Sequence, residues 1–161
     1  MNNPKKAGDA IWLDPDESPG YLVRGTNLSV GKALRRNLSN YGMTLGQYYF
    51  MRALWIEEGL SQRELSERVG TTEPTTASVL RLLEKNGLVR RVRNRRDRRN
   101  INIFPTQKGR NLKNELLNMA IKINEIATRG FTLKEVETLK RLMRAMKNNL
   151  DQTRKTPQLD L

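Results

Sequence analysis

The chain has 161 residues, a formal net charge of +13, no cysteine and no histidine. Without cysteine, disulfides, thiolate metal sites and thiol redox sensing are excluded, and the absence of both residues leaves zinc coordination and histidine acid–base chemistry without candidates. All-carboxylate metal binding alone stays open, so no catalytic residue, metal ligand or cofactor is assigned and an enzyme is not expected. The length suits one domain, or a small domain with dimerising helices. The charge is local: residues 81–110 hold eleven Lys or Arg against two acids, a net +9, while residues 1–20 hold two against four, a net −2. Clustering of this kind fits a polyanion partner, because each neutralised phosphate releases condensed counterions. No apolar run is long enough to span a bilayer and the first residues lead into acids, so no membrane association and a cytoplasmic location are expected.

Residues 1–20, with Pro4, Pro15, Pro19, Gly8 and Gly20, read as an arm whose apolar island is Ile11-Trp12-Leu13; the sequence leaves open whether Trp12 packs, on the body or on a partner subunit, or stays free. From Tyr21 to Asn40, Leu22, Val23, Val30, Ala33, Leu34 and Leu38 recur at helical spacing, and Gly42 ends that helix. Thr44 and Gln47 form a capping box that opens a helix through Tyr48, Met51, Leu54 and Trp55 to Gly59. Ser61 and Glu64 form a second box, flanked by Leu60 and Leu65 as a hydrophobic staple, and this short helix stops at Gly70. Thr72 caps a further helix that tolerates Pro74 in its first turn, packs through Val79, Leu80, Leu82 and Leu83, and closes at Asn86-Gly87. Two helices joined by Val69-Gly70-Thr71 make a helix-turn-helix.

Leu88 to Arg93 and Asn100 to Phe104 have strand composition, and Asn94-Arg95-Arg96-Asp97-Arg98-Arg99 lies between them: a hairpin with so cationic a tip is a wing. Thr106 caps a long helix reaching about Thr128. Thr132 with Glu135, and Phe131 with Val136, repeat the box and the staple ahead of a last helix, whose Val136, Leu139, Met143, Met146 and Leu150 step 3, 4, 3, 4. That seam is too short to hold alone, so it packs either in a dimer interface, the preferred reading, or within the chain.

A helix enters the major groove when its exposed N-terminal face carries short hydrogen-bonding side chains. Thr72, Thr75, Thr76, Ser78 and Arg81 form such a face, with the Thr76 methyl aimed at a thymine methyl and Arg81 at guanine or phosphate; Ser61 and Gln62 complete the set on the preceding helix. Arg95, Arg96, Arg98 and Arg99 suit the adjacent minor groove, and Asp97 holds Arg99 extended. The bland reading is a solvated polar face beside a mobile loop. A rival from another class is an architectural protein that binds nucleic acid by charge alone, which needs the arginines but no capped helix. Glu57-Glu58, an adjacent acid pair, does not converge on a helix and supports no catalysis.

Ser61 to Gly109 resembles the winged helix-turn-helix of the MarR family of bacterial transcription regulators, notably in Leu83-Glu84-Lys85-Asn86-Gly87-Leu88-Val89, in Asp97-Arg98-Arg99 and in Thr106-Gln107-Lys108-Gly109, and more weakly over Tyr21 to Leu150. Ser78 stands where the family often has arginine, and Pro105 where it usually has leucine; proline at a strand end loses no ladder bond. The resemblance implies a mainly α fold with a small β-wing: an arm (1–20), a winged helix-turn-helix domain (43–106), and a helical dimerisation region built from 21–42 and 107–161. It further implies a homodimer on double-stranded DNA with a pseudo-palindromic operator, repression, and release by a small phenolic or aromatic-carboxylate effector. That effector would sit between the dimerisation helices and the DNA-binding lobe, near Arg24, Tyr48, Tyr49 and Arg52. Aromatics at such spacing are more often core.

Overall fold

The computed structural model describes residues 14–93 and 101–153. Trp12 and its neighbours lie outside the described residues, as do Arg95, Arg96, Asp97, Arg98 and Arg99. Two compact units are distinguished, residues 1–123 and 124–161.

In the first unit, Asp14 caps a single 3-10 turn over Pro15–Glu17, and Ser18 caps α1 (Pro19–Leu38), so the helix starts two residues earlier than the arm boundary drawn from the sequence. A 3-10 turn, Ser39–Tyr41, ends at Gly42 in left-handed conformation. The Thr44–Gln47 box is complete in both directions (3.2 and 2.8 Å) and opens α2 (Leu45–Ile56), which stops three residues short of Gly59. The Ser61–Glu64 box opens α3 (Gln62–Val69), Thr72 opens α4 (Glu73–Lys85), and Gly87 sits at φ 68° beyond it. Gly70, at φ 73°, makes the tight turn between α3 and α4; its amide donates to the Ser66 carbonyl (3.0 Å), a geometry a β-carbon would strain.

The wing is a sheet of three strands rather than two: β1 (Leu60–Ser61), β2 (Val89–Arg93) and β3 (Ile101–Pro105), in order β1-β3-β2 and antiparallel throughout. β1 escapes sequence reading because two residues carry no periodicity; its partners, Ile103 and Asn102, come from far along the chain. Beyond β3, the expected long helix breaks into α5 (Gln107–Asn111) and α6 (Lys113–Ala127). The cause is tertiary. Trp55 Nε1 donates to the Gly109 carbonyl (2.9 Å), the acceptor that an unbroken helix would offer to the Lys113 amide, and Lys113 Nζ turns to the Trp55 carbonyl (3.0 Å). A β-carbon on Gly109 would lie 2.2 Å from the Leu88 carbonyl oxygen, so α5 docks at a distance only glycine allows.

The core gathers Leu34 and Leu38 of α1, Tyr48, Phe50, Met51, Leu54 and Trp55 of α2, Leu65 of α3, Leu80 and Leu83 of α4, Ile103 of β3, and Leu116, Ala120 and Ile123 of α6. Leu60 and Leu65 are both buried, as a staple requires, whereas Leu82 is half exposed and does not belong to the packed face of α4.

In the second unit, Thr132 and Glu135 form their capping box (2.7 and 3.3 Å) ahead of α7 (Leu133–Thr153). Of the two staple residues, Phe131 is 50% exposed and Val136 half-buried. No α7 residue is buried, and Leu139, Met143 and Leu150 of the 3-4 seam stay exposed.

Candidate nucleic-acid interface

The N-terminal turn of α4 is built by its threonines. Thr72 Oγ1 accepts from the Thr75 amide (3.4 Å), and the Thr72 and Thr75 hydroxyls bond each other (2.9 Å). One turn on, the Ser78 hydroxyl donates to the Pro74 carbonyl (3.1 Å), and Arg81 Nη2 donates to Ser78 Oγ (3.1 Å). Thr72, Thr75, Ser78 and Arg81 are all exposed and step by three residues, which sets hydroxyls and one guanidinium along one face. Ser78 thus accepts from and orients Arg81.

Thr76 is a correction. Its side chain is fully buried and its hydroxyl donates to the Thr72 carbonyl (3.0 Å), so its methyl faces the core and not a base. The phase of the helix decides this: Thr76, Leu80 and Leu83 share the buried stripe.

The preceding helix is tied to α4 at its start, where the half-buried Gln62 donates through Nε2 to the Glu73 carbonyl (3.5 Å). Ser61 Oγ accepts from the Glu64 amide (3.2 Å). In return the Ser61 amide donates to Glu64 Oε2 (2.7 Å), and that bond holds the Glu64 carboxyl below its ordinary value.

On the wing, Arg91 Nε pairs with Glu84 of α4 at 3.1 Å, and the Arg90 guanidinium lies 5.4 Å from the Phe104 ring centroid. These contacts orient β2 against α4 and β3, and leave Arg93 exposed at the end of β2. Neither Arg93 nor the Arg91–Glu84 strut has a signal in the sequence; an acid seven residues before a strand arginine is no pattern by itself.

Of the residues expected to bind an effector, Tyr48, Tyr49 and Arg52 come together, with the Tyr48 and Tyr49 ring centroids 5.8 Å apart, but only Tyr49 and Arg52 face a cleft. Tyr49 and Arg52 line a cleft of about 250 Å³ with Ala53 and Ile56 of α2 and Arg68 and Val69 of α3. Arg24, exposed on α1, is not among the lining residues. Tyr48 is core: fully buried, edge-on to Trp55 at 6.3 Å, with a hydroxyl that has no hydrogen-bond partner. Burial pushes its pKa up, partly offset by the neighbouring Arg52 guanidinium. Among the described residues, no group of three acidic side chains could hold a metal ion, and no helix is long and apolar enough to cross a membrane.

The sequence profile of the MarR family matches residues 41–100, and the regulator SarZ of Staphylococcus epidermidis is 31% identical over 135 residues, covering 83% of this chain and 89% of its own. The chain belongs to the MarR family. The transcriptional regulator TtmR of Methylorubrum extorquens is 36% identical over 130 residues, which span 81% of this chain and 66% of TtmR. Among solved structures, a MarR transcriptional regulator from Methanosarcina mazei superposes with a TM-score of 0.75 at 27% identity, covering 82% of this chain and 96% of that one. This MarR-family protein is accordingly a DNA-binding transcriptional regulator with a winged helix-turn-helix, and its relatives are regulators rather than enzymes.

Proposed function

We propose that this MarR-family protein is a sequence-specific, effector-responsive repressor that acts in the cytoplasm as a homodimer on a pseudo-palindromic operator. The observation that carries the reading is the exposed stripe of Thr72, Thr75, Ser78 and Arg81 beside the β2–β3 hairpin. Short hydroxyls and a steadied guanidinium read base edges; the hairpin residues Arg95, Arg96, Arg98 and Arg99, with Asp97 as orienting acid, take the adjacent minor groove; and Ser61 and Gln62 take phosphate. The 3-4 seam of α7, which leaves Leu139, Met143 and Leu150 in water in the single chain, supports a dimer, and a twofold pair of α4 helices would fall in successive major grooves about 34 Å apart. The effector is a small phenol or aromatic carboxylate, supported by Tyr49 and Arg52 at one cleft.

The test is a titration of an operator, recovered by selection from a random duplex pool, against a scrambled duplex at fixed salt. A specificity ratio of at least about 10³ is expected. A ratio near one would instead identify a charge-driven architectural protein, for which the α4 stripe is irrelevant.

A further inference from the structure

The cleft between α2 and α3 lies wholly inside the winged-helix lobe: every residue that lines it is on one of those two helices, and none is on α1 or α6. Its composition is uneven in a telling way. Ile56 is 75% exposed, an aliphatic side chain that folding leaves in water, and Tyr49, Ala53 and Val69 extend its apolar surface. Two arginines, Arg52 and Arg68, also line the cleft. Arg68 Nη2 is held by Glu57 Oε2 at 2.6 Å through one contact, and both side chains are about half exposed. Arg52 pairs with no carboxylate among the described residues. The cleft, about 250 Å³, is open to solvent on one side, so a ligand would lie in it with part of its surface still in water.

We infer that this cleft binds a small organic monoanion with an apolar body, its carboxylate held by Arg52 and by Arg68, and that Arg68 exchanges Glu57 for the ligand on binding. The inference rests on the effector-responsive reading and moves its site from the helix–lobe junction into the lobe. A single exposed ion pair is weak and easily exchanged, whereas a carboxylate gripped by two guanidiniums over an apolar floor is not. The exchange matters because of the residues next to Arg68 in the chain: Val69 lines the cleft, Gly70 makes the left-handed turn, and Thr72 caps α4. A ligand that pulls on Arg68 and Val69 thus acts three residues from the start of the DNA-reading face. It alters operator affinity to the extent that it binds the two settings of that turn unequally, and DNA alters its affinity by the same factor.

Benzoate is the probe and benzamide its uncharged counterpart, each titrated into the full chain by amide NMR and into the operator complex by anisotropy. Benzoate is expected to shift the amides of Val69, Gly70 and Thr72 and to change operator affinity; benzamide is not. Arg52→Gln should weaken benzoate by about tenfold, the loss of one charge-assisted bond. Glu57→Gln, which removes the competitor, should tighten it several-fold. Both substitutions are on exposed side chains, so unfolding does not confuse the result. Benzoate shifts elsewhere, or shifts insensitive to both substitutions, overturn the site. Operator release by benzoate that survives Arg52→Gln also overturns it while leaving effector response standing. Benzoate that fills the cleft with operator affinity unchanged overturns the coupling, and with it the effector reading, while the site stands.

Discussion

Thr76→Val separates the two faces of α4. The Thr76 hydroxyl donates to the Thr72 carbonyl at 3.0 Å, and that carbonyl also accepts the Thr76 amide at 2.9 Å. Replacing the hydroxyl by a methyl therefore leaves no orphaned acceptor. It removes one neutral hydrogen bond, a net loss of about 1 kcal/mol, and adds a buried methyl worth up to about 0.8 kcal/mol. Stability should move by less than about 1 kcal/mol, or about 4 °C in Tm for a chain of this size. Operator affinity should stay within about twofold, since no atom of Thr76 reaches the surface. Thr75→Val is the opposite case: its hydroxyl is exposed and meets only that of Thr72, so Tm should hold while operator affinity falls by roughly 5- to 150-fold, the range for one lost base contact. Both are read by anisotropy on the selected operator at one salt concentration, with thermal unfolding as control. A Thr76→Val protein with wild-type Tm and a loss of affinity matching Thr75→Val would refute the orientation of α4.

Gly109→Ala would place a methyl 2.2 Å from the Leu88 oxygen and 3.0 Å from Met51 Cε, forcing backbone apart; a cost of about 3 kcal/mol and a fall of roughly 6–12 °C in Tm are expected by thermal denaturation. Leu139→Lys and Met143→Lys, both exposed in the single chain, should leave helicity intact and convert the sedimentation profile to monomer; a profile still dimeric would remove the seam argument. Glu64 and Glu58 have carboxyls held below their ordinary value of 4.5, Glu64 by the Ser61 amide and Glu58 by Arg110, so each stabilises the fold above that pH and loses the contribution as pH falls through its folded pKa. Thermal unfolding between neutral pH and pH 3 should show the decline, shallower in Glu58→Gln. Tyr48→Phe deletes a buried hydroxyl without a partner and should leave Tm unchanged or raise it.

The legible part of the chain is local. Each capping box is a four-residue pattern whose bonds depend on nothing distant, and all three form with their N3 partners. Gly70 and Gly87 likewise announce their turns. The break at Leu112 is hidden because its cause is the Trp55 indole, which lies 54 residues from the Gly109 carbonyl it takes. β1 is hidden for a similar reason: a strand of two residues exists only through its pairing. The misplacement of Thr76 and Tyr48 differs in kind. Thr76 is four residues before Leu80, and Tyr48 is three before Met51 and seven before Trp55, so both lie on stripes whose other members read plainly as core. Hydroxyl chemistry points outward at both positions, and the periodicity, which points inward, is the signal that decides.

The links that hold the lobe differ in how readily they can be exchanged. The Trp55–Gly109 bond is buried, beyond the reach of solvent or ligand, and it fixes α5 to α2. Arg110 grips Glu58 with two bonds, at 2.8 and 2.6 Å, a fork that a single competing anion displaces poorly. Arg68 holds Glu57 by one bond, beside an open cleft and two residues before a glycine turn. Of these three links it is the most readily exchanged, and it lies four residues before Thr72. The ranking has its own consequence: Glu58→Gln should lower stability yet leave any benzoate response intact, while Glu57→Gln should alter the response with little effect on Tm. The reverse pattern would place the switch at the α2–α5 junction instead.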